Sequence, residues 1–527
     1  MCANINTLSL ELLDLIITHL IEIPPTYSDI SNASLPPPQN LARYATISRS
    51  WQHAIERHTF AAISTFCGDL PTMRQVFNQS PWRKRYLRAL FYSIDLPLYS
   101  DDRRFCFERR REHQENLVAF RDGVRQLWAE LASWEEDLSL GIRLVLAAEA
   151  PMNRGREGDD LPITVGIGDR RWAFPEHSLT LWDDTGEVSF LPGLCRVTTL
   201  EIAKSGRRIY PTAISQMISS LSNLRKLEVA IFPVQPKNKD LRAEMRNDLA
   251  RVLESPMLHS LEILRVQMDE ATPYNHNFRI AFQEDPVYPD GDHLCRAVCK
   301  LAQRRLRELY MVGPCLISPA IWGLSHDNLD TDKLDLTFPH LEIAKIEFAL
   351  VTYDGRWYYT GDATENTEDE EEANAVPTYS QHELASDSDS DSCSSFNSEY
   401  HDEIHDYREA CLNGNDPYNT WRRHPDPRTF EPLQRGMILA AMQMPKLRTL
   451  ELRTRDPGEF DNEVSFQCLA PGVEADDVGW GTQPEEQLRK WRWAVCFPME
   501  RLWEVPEAIR QLMLQHLGEE GEIMYFP

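Results

Sequence analysis

The first sixty residues carry apolar positions at helical spacing. Leu12, Ile16 and Leu20 stand four apart, and Leu13 and Ile17 widen the same stripe, which predicts a helix opening near Leu8. Ser9 can cap its start, and Glu11 and Asp14 sit near the positive end of its dipole. A loop rich in Pro and Ser follows, from Pro24-Pro25 to Pro36-Pro37-Pro38. Asn40 then caps a segment from Leu41 to Ile47, and Ser48-Arg49-Ser50-Trp51 leads into His53-Ala54-Ile55. The pattern predicts a three-helix bundle between Leu8 and His58. So short a bundle buries little surface by itself. Leu10, Leu15 and Ile21 fall off the main stripe, and that surplus points to a partner surface. The plainer alternative is a helical cap on the following domain.

Beyond the bundle, Phe60 to Ser80 reads as a connector with weak helical character. A different pattern then recurs: Leu87-x-x-Leu90-x-Tyr92-x-Ile94, with later copies led by Val197, Leu224, Leu261, Leu306, Leu341 and Leu447. In each copy the last apolar positions fall on one face of a short strand, because side chains alternate there with period two. Amphipathic helices precede several copies, marked by Ile214–Leu221, Leu241–Leu253, Leu294–Leu301 and Leu433–Met442. A longer helix, from Leu117 through Trp128 to Trp134, leads to the alternating strand Leu140–Leu146. Trp491–Phe497 reads as another strand, followed by a closing helix around Ile509, Leu512 and Leu514.

Two resemblances follow from these residues. The order Leu8-Ser9-x-Glu11-Leu12-Leu13-x-x-Ile16, then Leu20, then Ser48-Arg49-x-Trp51, resembles the F-box motif. The resemblance implies docking to a Skp-type adaptor and, through it, to a cullin, with Leu8, Leu12, Leu13, Ile16, Ile47 and Trp51 at the adaptor-binding positions. Ser9 stands where the family usually has proline, and the loop from Ile23 to Gln39 is longer than usual. The helix–turn–strand unit resembles a leucine-rich repeat. Successive leading positions from Val197 to Leu341 are 27, 37, 45 and 35 residues apart, mostly longer than the usual repeat of about 20–29. The combination is similar to the divergent leucine-rich-repeat F-box proteins of fungi. An α/β domain with a parallel sheet would produce the same alternation of helix and strand. The expected fold class is therefore α/β: an F-box bundle over 1–62, a linker over 63–80, and an irregular leucine-rich-repeat-like solenoid over 81–353. An acidic insertion follows over 354–432, and a last repeat and cap over 433–527.

Composition narrows the function. The 527 residues are 42% hydrophobic, enough for a substantial core. A net charge of −27 disfavours nucleic acid and anionic membrane surfaces as partners. Eleven cysteines without paired spacing, and no signal peptide at Met1-Cys2-Ala3-Asn4, point to the cytoplasm or nucleus. The runs Glu368–Glu372 and Ser386–Ser392 lack apolar residues and are expected to be disordered. Their serines suit acidophilic kinases, although an unmodified solvated loop is the plainer reading.

Local catalytic motifs are missing: no phosphate loop, no G-x-S-x-G elbow and no H-E-x-x-H. Val165-Gly166-Ile167-Gly168 reads as a hairpin turn. His293-x-Cys295-x-x-x-Cys299 has no second pair at zinc spacing, and its cysteines suit a helix core. The aspartates from Asp387 to Asp391 lack the glycine and terminal glutamate of a calcium loop. Arg109 to Arg111 read as the solvated start of the long helix, and Arg83 to Arg85 as a possible short import signal. No cofactor or metal is implied. The expectation is a non-catalytic substrate receptor of a Skp–cullin–F-box ubiquitin ligase. The alternatives are an interaction scaffold without a degradative role and an α/β hydrolase whose triad is dispersed along the chain.

Overall fold

A computed structural model describes residues 8–20, 41–97, 108–134, 141–149, 178–182, 190–231, 234, 236–268, 272–278, 291–324, 334, 336–361, 410–416, 419, 421–422, 424–454, 464–475, 485–496 and 504–526. The chain divides into two compact units, Met1–Ala230 and Ile231–Pro527. The boundary thus falls inside the expected 81–353 region. Each unit is a mixed α/β structure organised on a mostly parallel sheet.

The first unit opens with helix α1 (Leu10–Leu20), a 3-10 turn (Leu41–Thr46) and helix α2 (Arg49–Thr59). Strand β1 (Ala62–Phe66) and helix α3 (Leu70–Gln79) follow at once. Residues 63–80 are therefore a strand and a helix instead of the expected linker. Leu70, Met73 and Phe77 anchor α3 in the core, and a strand of only five residues without the L-x-x-L pattern left little trace in the sequence. Strand β2 (Ala89–Asp95), helix α4 (Arg110–Ala132), strands β3 (Ile142–Glu149) and β4 (Val197–Gly206), helix α5 (Pro211–Ser219) and strand β5 (Lys226–Ile231) complete the unit.

These five strands lie side by side in chain order, each parallel to the next. Leu90, Leu144, Leu200 and Leu227 stand opposite one another, and Tyr92, Leu146, Ile202 and Val229 form a second row. Both rows are buried. The leading residues Leu87, Val197 and Leu224 are buried as well, so each signature places three side chains in the core. α4 crosses behind the sheet at Gly123, whose Cα approaches Ile94 so closely that a Cβ there would lie 2.8 Å from Ile94 Cγ2. Tyr92 donates its hydroxyl proton to the Gly123 carbonyl at 3.2 Å.

The second unit repeats the scheme. Helix α6 (Lys239–Leu253), strand β6 (Ile263–Met268), helix α7 (His293–Ala302), and strands β7 (Glu308–Cys315) and β8 (Ile343–Phe348) come first. The short strands β9 (Tyr359–Thr360) and β10 (His424–Pro425) pair antiparallel with each other. Helix α8 (Phe430–Ala441), strands β11 (Thr449–Thr454) and β12 (Val464–Leu469), helix α9 (Glu485–Leu488), strand β13 (Arg492–Cys496), helix α10 (Glu507–Leu517) and strand β14 (Glu522–Phe526) follow. β6, β7, β8 and β11 are parallel, with Leu264, Leu309, Ala344 and Leu450 in one buried row. β12 then runs antiparallel to both β11 and β13, and β14 is parallel to β13.

All seven strand signatures fall on strands, and the helices expected after residue 62 are present; of the three expected between Leu8 and His58, two are α-helices and the middle segment, Leu41–Thr46, is a 3-10 turn. The glycine pair at 165–170 and the acidic runs at 368–372 and 386–392 lie outside the described residues. The ends of the expected 354–432 insertion are ordered structure. β9 and β10 join them, and Arg422 stacks over Trp357 and Trp421, with its cation 5.0 Å and 4.2 Å from their ring centres. The basic triplets differ from one another. Lys84 is buried over the Trp134 ring and Arg83 is paired with Glu56, whereas Arg110 and Arg111 are exposed.

In most of these strands only one face is covered. Alternate residues are buried against helices, while Lys226 and Glu228, Arg265 and Gln267, Glu308 and Tyr310, and Lys345 and Glu347 stay half-exposed. A doubly wound sheet buries both faces and reverses its strand order at a switch point. Within each unit the strand order follows the chain.

Two outcomes follow. Leu200→Ala removes a member of the buried row and should lower the unfolding free energy by about 3 kcal/mol in urea titration. His516, on α10, accepts a hydrogen bond from Trp493 Nε1 at 3.3 Å, and burial lowers its pKa to about 4. The unfolded chain therefore takes up this proton first, so its contribution to stability is complete above roughly pH 6.5 and declines as the pH falls towards 4. The denaturation midpoint of His516→Gln should fall less than that of the wild type between pH 7 and pH 4.5.

Candidate docking surface

Helix α1 begins with Leu12 N–H pointing at Ser9 Oγ, 3.4 Å away, and Leu13 N–H bonded to Ser9 O at 3.0 Å. The exposed Glu11 carboxyl is held below its usual range by backbone N–H groups and by Ser9. Ser48 caps α2 by accepting from Trp51 N–H at 3.3 Å. Between the two helices Asp14 pairs with Arg57 at 2.7 Å and lies 3.5 Å from His58.

The interior of this small bundle consists of Leu13, Ile17, Leu41, Trp51, Ala54 and Ile55, with Leu8, Tyr44 and Ala45 packed against it. Leu13 and Ile17 are each 1% exposed and Trp51 is 4% exposed. Leu12 at 49%, Leu15 at 57% and Ile16 at 37% face outward on α1. Ile47, at 43%, is exposed in the turn before α2. At about 100° per residue, Leu15, Leu12 and Ile16 span one arc and Leu13 and Ile17 the next. One helix therefore carries two apolar stripes, one sealed and one open.

This division corrects the phase of the sequence reading. The Leu12–Ile16 spacing there headed the main stripe, yet the bundle closes on Leu13 and Ile17. Of the six positions that the F-box resemblance singles out, Leu12, Ile16 and Ile47 are presented to solvent and Leu8 is half-buried. Leu13 and Trp51 are internal, so a partner approaching this face meets the other positions first. Leu15, the most exposed of the described apolar side chains of α1, is visible in the sequence only as surplus hydrophobicity.

Other candidate positions behave as structural residues. Cys295 and Cys299 are buried on α7, and burial raises both thiol pKa values, that of Cys299 to about 11. His293 turns away from them to Glu254, at 3.2 Å. Among the described residues no group of three or more His, Cys, Asp or Glu side chains could hold a metal ion. Among them also, no helix is long and apolar enough to cross a membrane.

The two stripes predict opposite outcomes for the same substitution. Leu13→Asp buries a charge in the bundle core and should cost about 3 kcal/mol or more, melting the bundle. Leu12→Asp should leave helicity by circular dichroism and the melting temperature nearly unchanged. Compared with known families and curated proteins, the chain matches no family model and no curated protein.

Proposed function

We propose that this chain is the substrate-recognition subunit of a Skp–cullin–F-box type ubiquitin ligase. The observation that carries the reading is the open stripe of Leu12, Leu15 and Ile16 with Ile47, on a bundle whose own core is already filled. A contiguous exposed apolar stripe on an otherwise closed unit marks an interaction site. The order of residues around it is the one that resembles an F-box. The half-covered strand ladders support the second part of the reading, since stacked helix–strand units with one open face are what leucine-rich-repeat solenoids use to bind proteins.

On this reading the chain does no chemistry. It holds a protein substrate near a ubiquitin-loaded enzyme carried elsewhere in the assembly, and so raises the effective concentration of a substrate lysine. The adaptor fits over α1 and the turn at Ile47, and the substrate is held on the remaining strands. Such a subunit works in the cytoplasm or nucleus. An interaction scaffold would share the docking step and differ only in its consequence, because depleting it would leave the levels of bound proteins unchanged.

Co-purification with a Skp-type adaptor tests the reading. Wild-type chain should retain the adaptor, and Leu12→Asp combined with Ile16→Asp should weaken the complex by about 30-fold or more, as for two interface residues worth about 1 kcal/mol each. Unchanged binding by a folded double variant would refute the docking assignment.

A further inference from the structure

Helix α2 joins the sheet of the first unit through only Phe60 and Ala61. Both are bonded through their backbones: Phe60 N–H to Glu56 O at 2.9 Å, and Ala61 O to the N–H groups of Arg88 and Ala89 at 2.8 Å and 2.9 Å. On the side of α2 away from α1, the Glu56 carboxylate is buried and receives three donors. Arg83 Nη2 lies 2.6 Å away, Trp82 Nε1 3.0 Å and Gln52 Nε2 3.0 Å. Arg83 and Trp82 belong to the 3-10 turn Pro81–Tyr86 that leads into β2. Burial alone would push the Glu56 carboxyl up, but these donors and the Arg83 charge outweigh it and hold its pKa below the usual range.

The surroundings reinforce the joint. The Arg83 guanidinium also stacks 4.8 Å from the Phe60 ring centre, and Phe60 meets Phe77 edge-on at 5.8 Å. His53, one turn before Glu56, meets Trp82 at 6.0 Å. Asp14 ties α1 to α2 through Arg57, and Glu56 ties α2 to the turn before β2 through Arg83.

We propose that Glu56 is a positioning residue that fixes the angle between the docking helices and the sheet of the same unit. The proposal rests on the docking reading above for its purpose and on the Glu56 contacts for its geometry. A partner seated on Leu12 and Ile16 is then held at a set distance from anything bound to the strands, which is what transfer by proximity requires. A salt bridge that served stability alone would lower the melting temperature when removed without loosening the joint below it.

The test measures the distance between spin-labelled noncanonical residues introduced at Thr18 on α1 and Gln126 on α4 of the full chain, both exposed. Wild type should give one narrow distribution. Glu56→Ala should broaden it well below the melting temperature, and the exchange Glu56→Arg with Arg83→Glu should narrow it again. Should Glu56→Ala fail to fold, Arg83→Gln serves as the milder variant and should also broaden the distribution. A distribution that stays narrow in the folded variants would overturn the proposal. So would loss of adaptor capture by folded Glu56→Ala, since Glu56 would then act on the docking face itself. Failure of the wild type to capture the adaptor would overturn the docking reading while leaving the distance result standing.

Discussion

Register is the constraint on which both units depend. In each parallel ladder the apolar residues of one strand signature lie directly opposite those of the next, as in the row Leu90, Leu144, Leu200 and Leu227. Side chains alternate along a strand, so a slip of one residue would turn the whole row to the open face and bring charged residues into the core. The leading residue adds a third anchor in the turn that enters the strand, as Leu224 and Leu306 do. With those three positions fixed, the length of chain between copies is free to vary. Intervals from 27 to 45 residues are absorbed by helices and loops while the rows stay aligned.

The same alternation leaves one face of these strands half-exposed, and its chemistry differs from that of the core. Arg143 pairs with Glu201 across neighbouring strands, Lys345 lies 3.9 Å from Glu451, and Tyr310 donates to Glu308 with Arg265 over its ring. Such pairs, across strands and along one, satisfy polar groups on a half-exposed surface. They also leave a row of differing side chains along each ladder. In a receptor of the proposed kind, specificity would reside in those side chains, so the ligand is far harder to infer than the architecture.

How much was legible in the sequence follows from the same physics. Strand signatures and helical periodicity report burial, and buried positions must repeat in register, so β2, β4, β5, β6, β7, β8 and β11 were all readable. β1 has no L-x-x-L pattern, and α3 is short, so neither stands out from a connector in the sequence. In β12 the polar residues are buried too: Gln467 donates to Glu451 Oε1 at 3.2 Å and to Ser465 Oγ at 3.3 Å. Satisfied inside the sheet, they removed the contrast that marks a half-buried strand. The stripes of α1 were read one position out of phase. Leu12-Leu13 and Ile16-Ile17 place adjacent apolar residues at both turns, and periodicity alone does not say which member points inward. Glu56 is invisible in the sequence because its donors at Trp82 and Arg83 lie across a strand and a helix that carry no repeat pattern.

That ambiguity of phase bears on how α1 is used. Burying a leucine or isoleucine fully is worth about 1.5–3 kcal/mol, and Leu12, Leu15, Ile16 and Ile47 each keep a third or more of their side chains in water. A helix selected only to close this bundle would need Leu13 and Ile17, and polar residues at the other positions would cost the fold less. Retaining apolar residues there gives the isolated chain only part of that burial and adds a risk of aggregation. It does leave about 0.5–1.5 kcal/mol per residue available to a partner that covers them. Because the sealed and open stripes share one helix without sharing residues, stability and the proposed docking separate by substitution, and a change confined to the open stripe tests that proposal without disturbing the core.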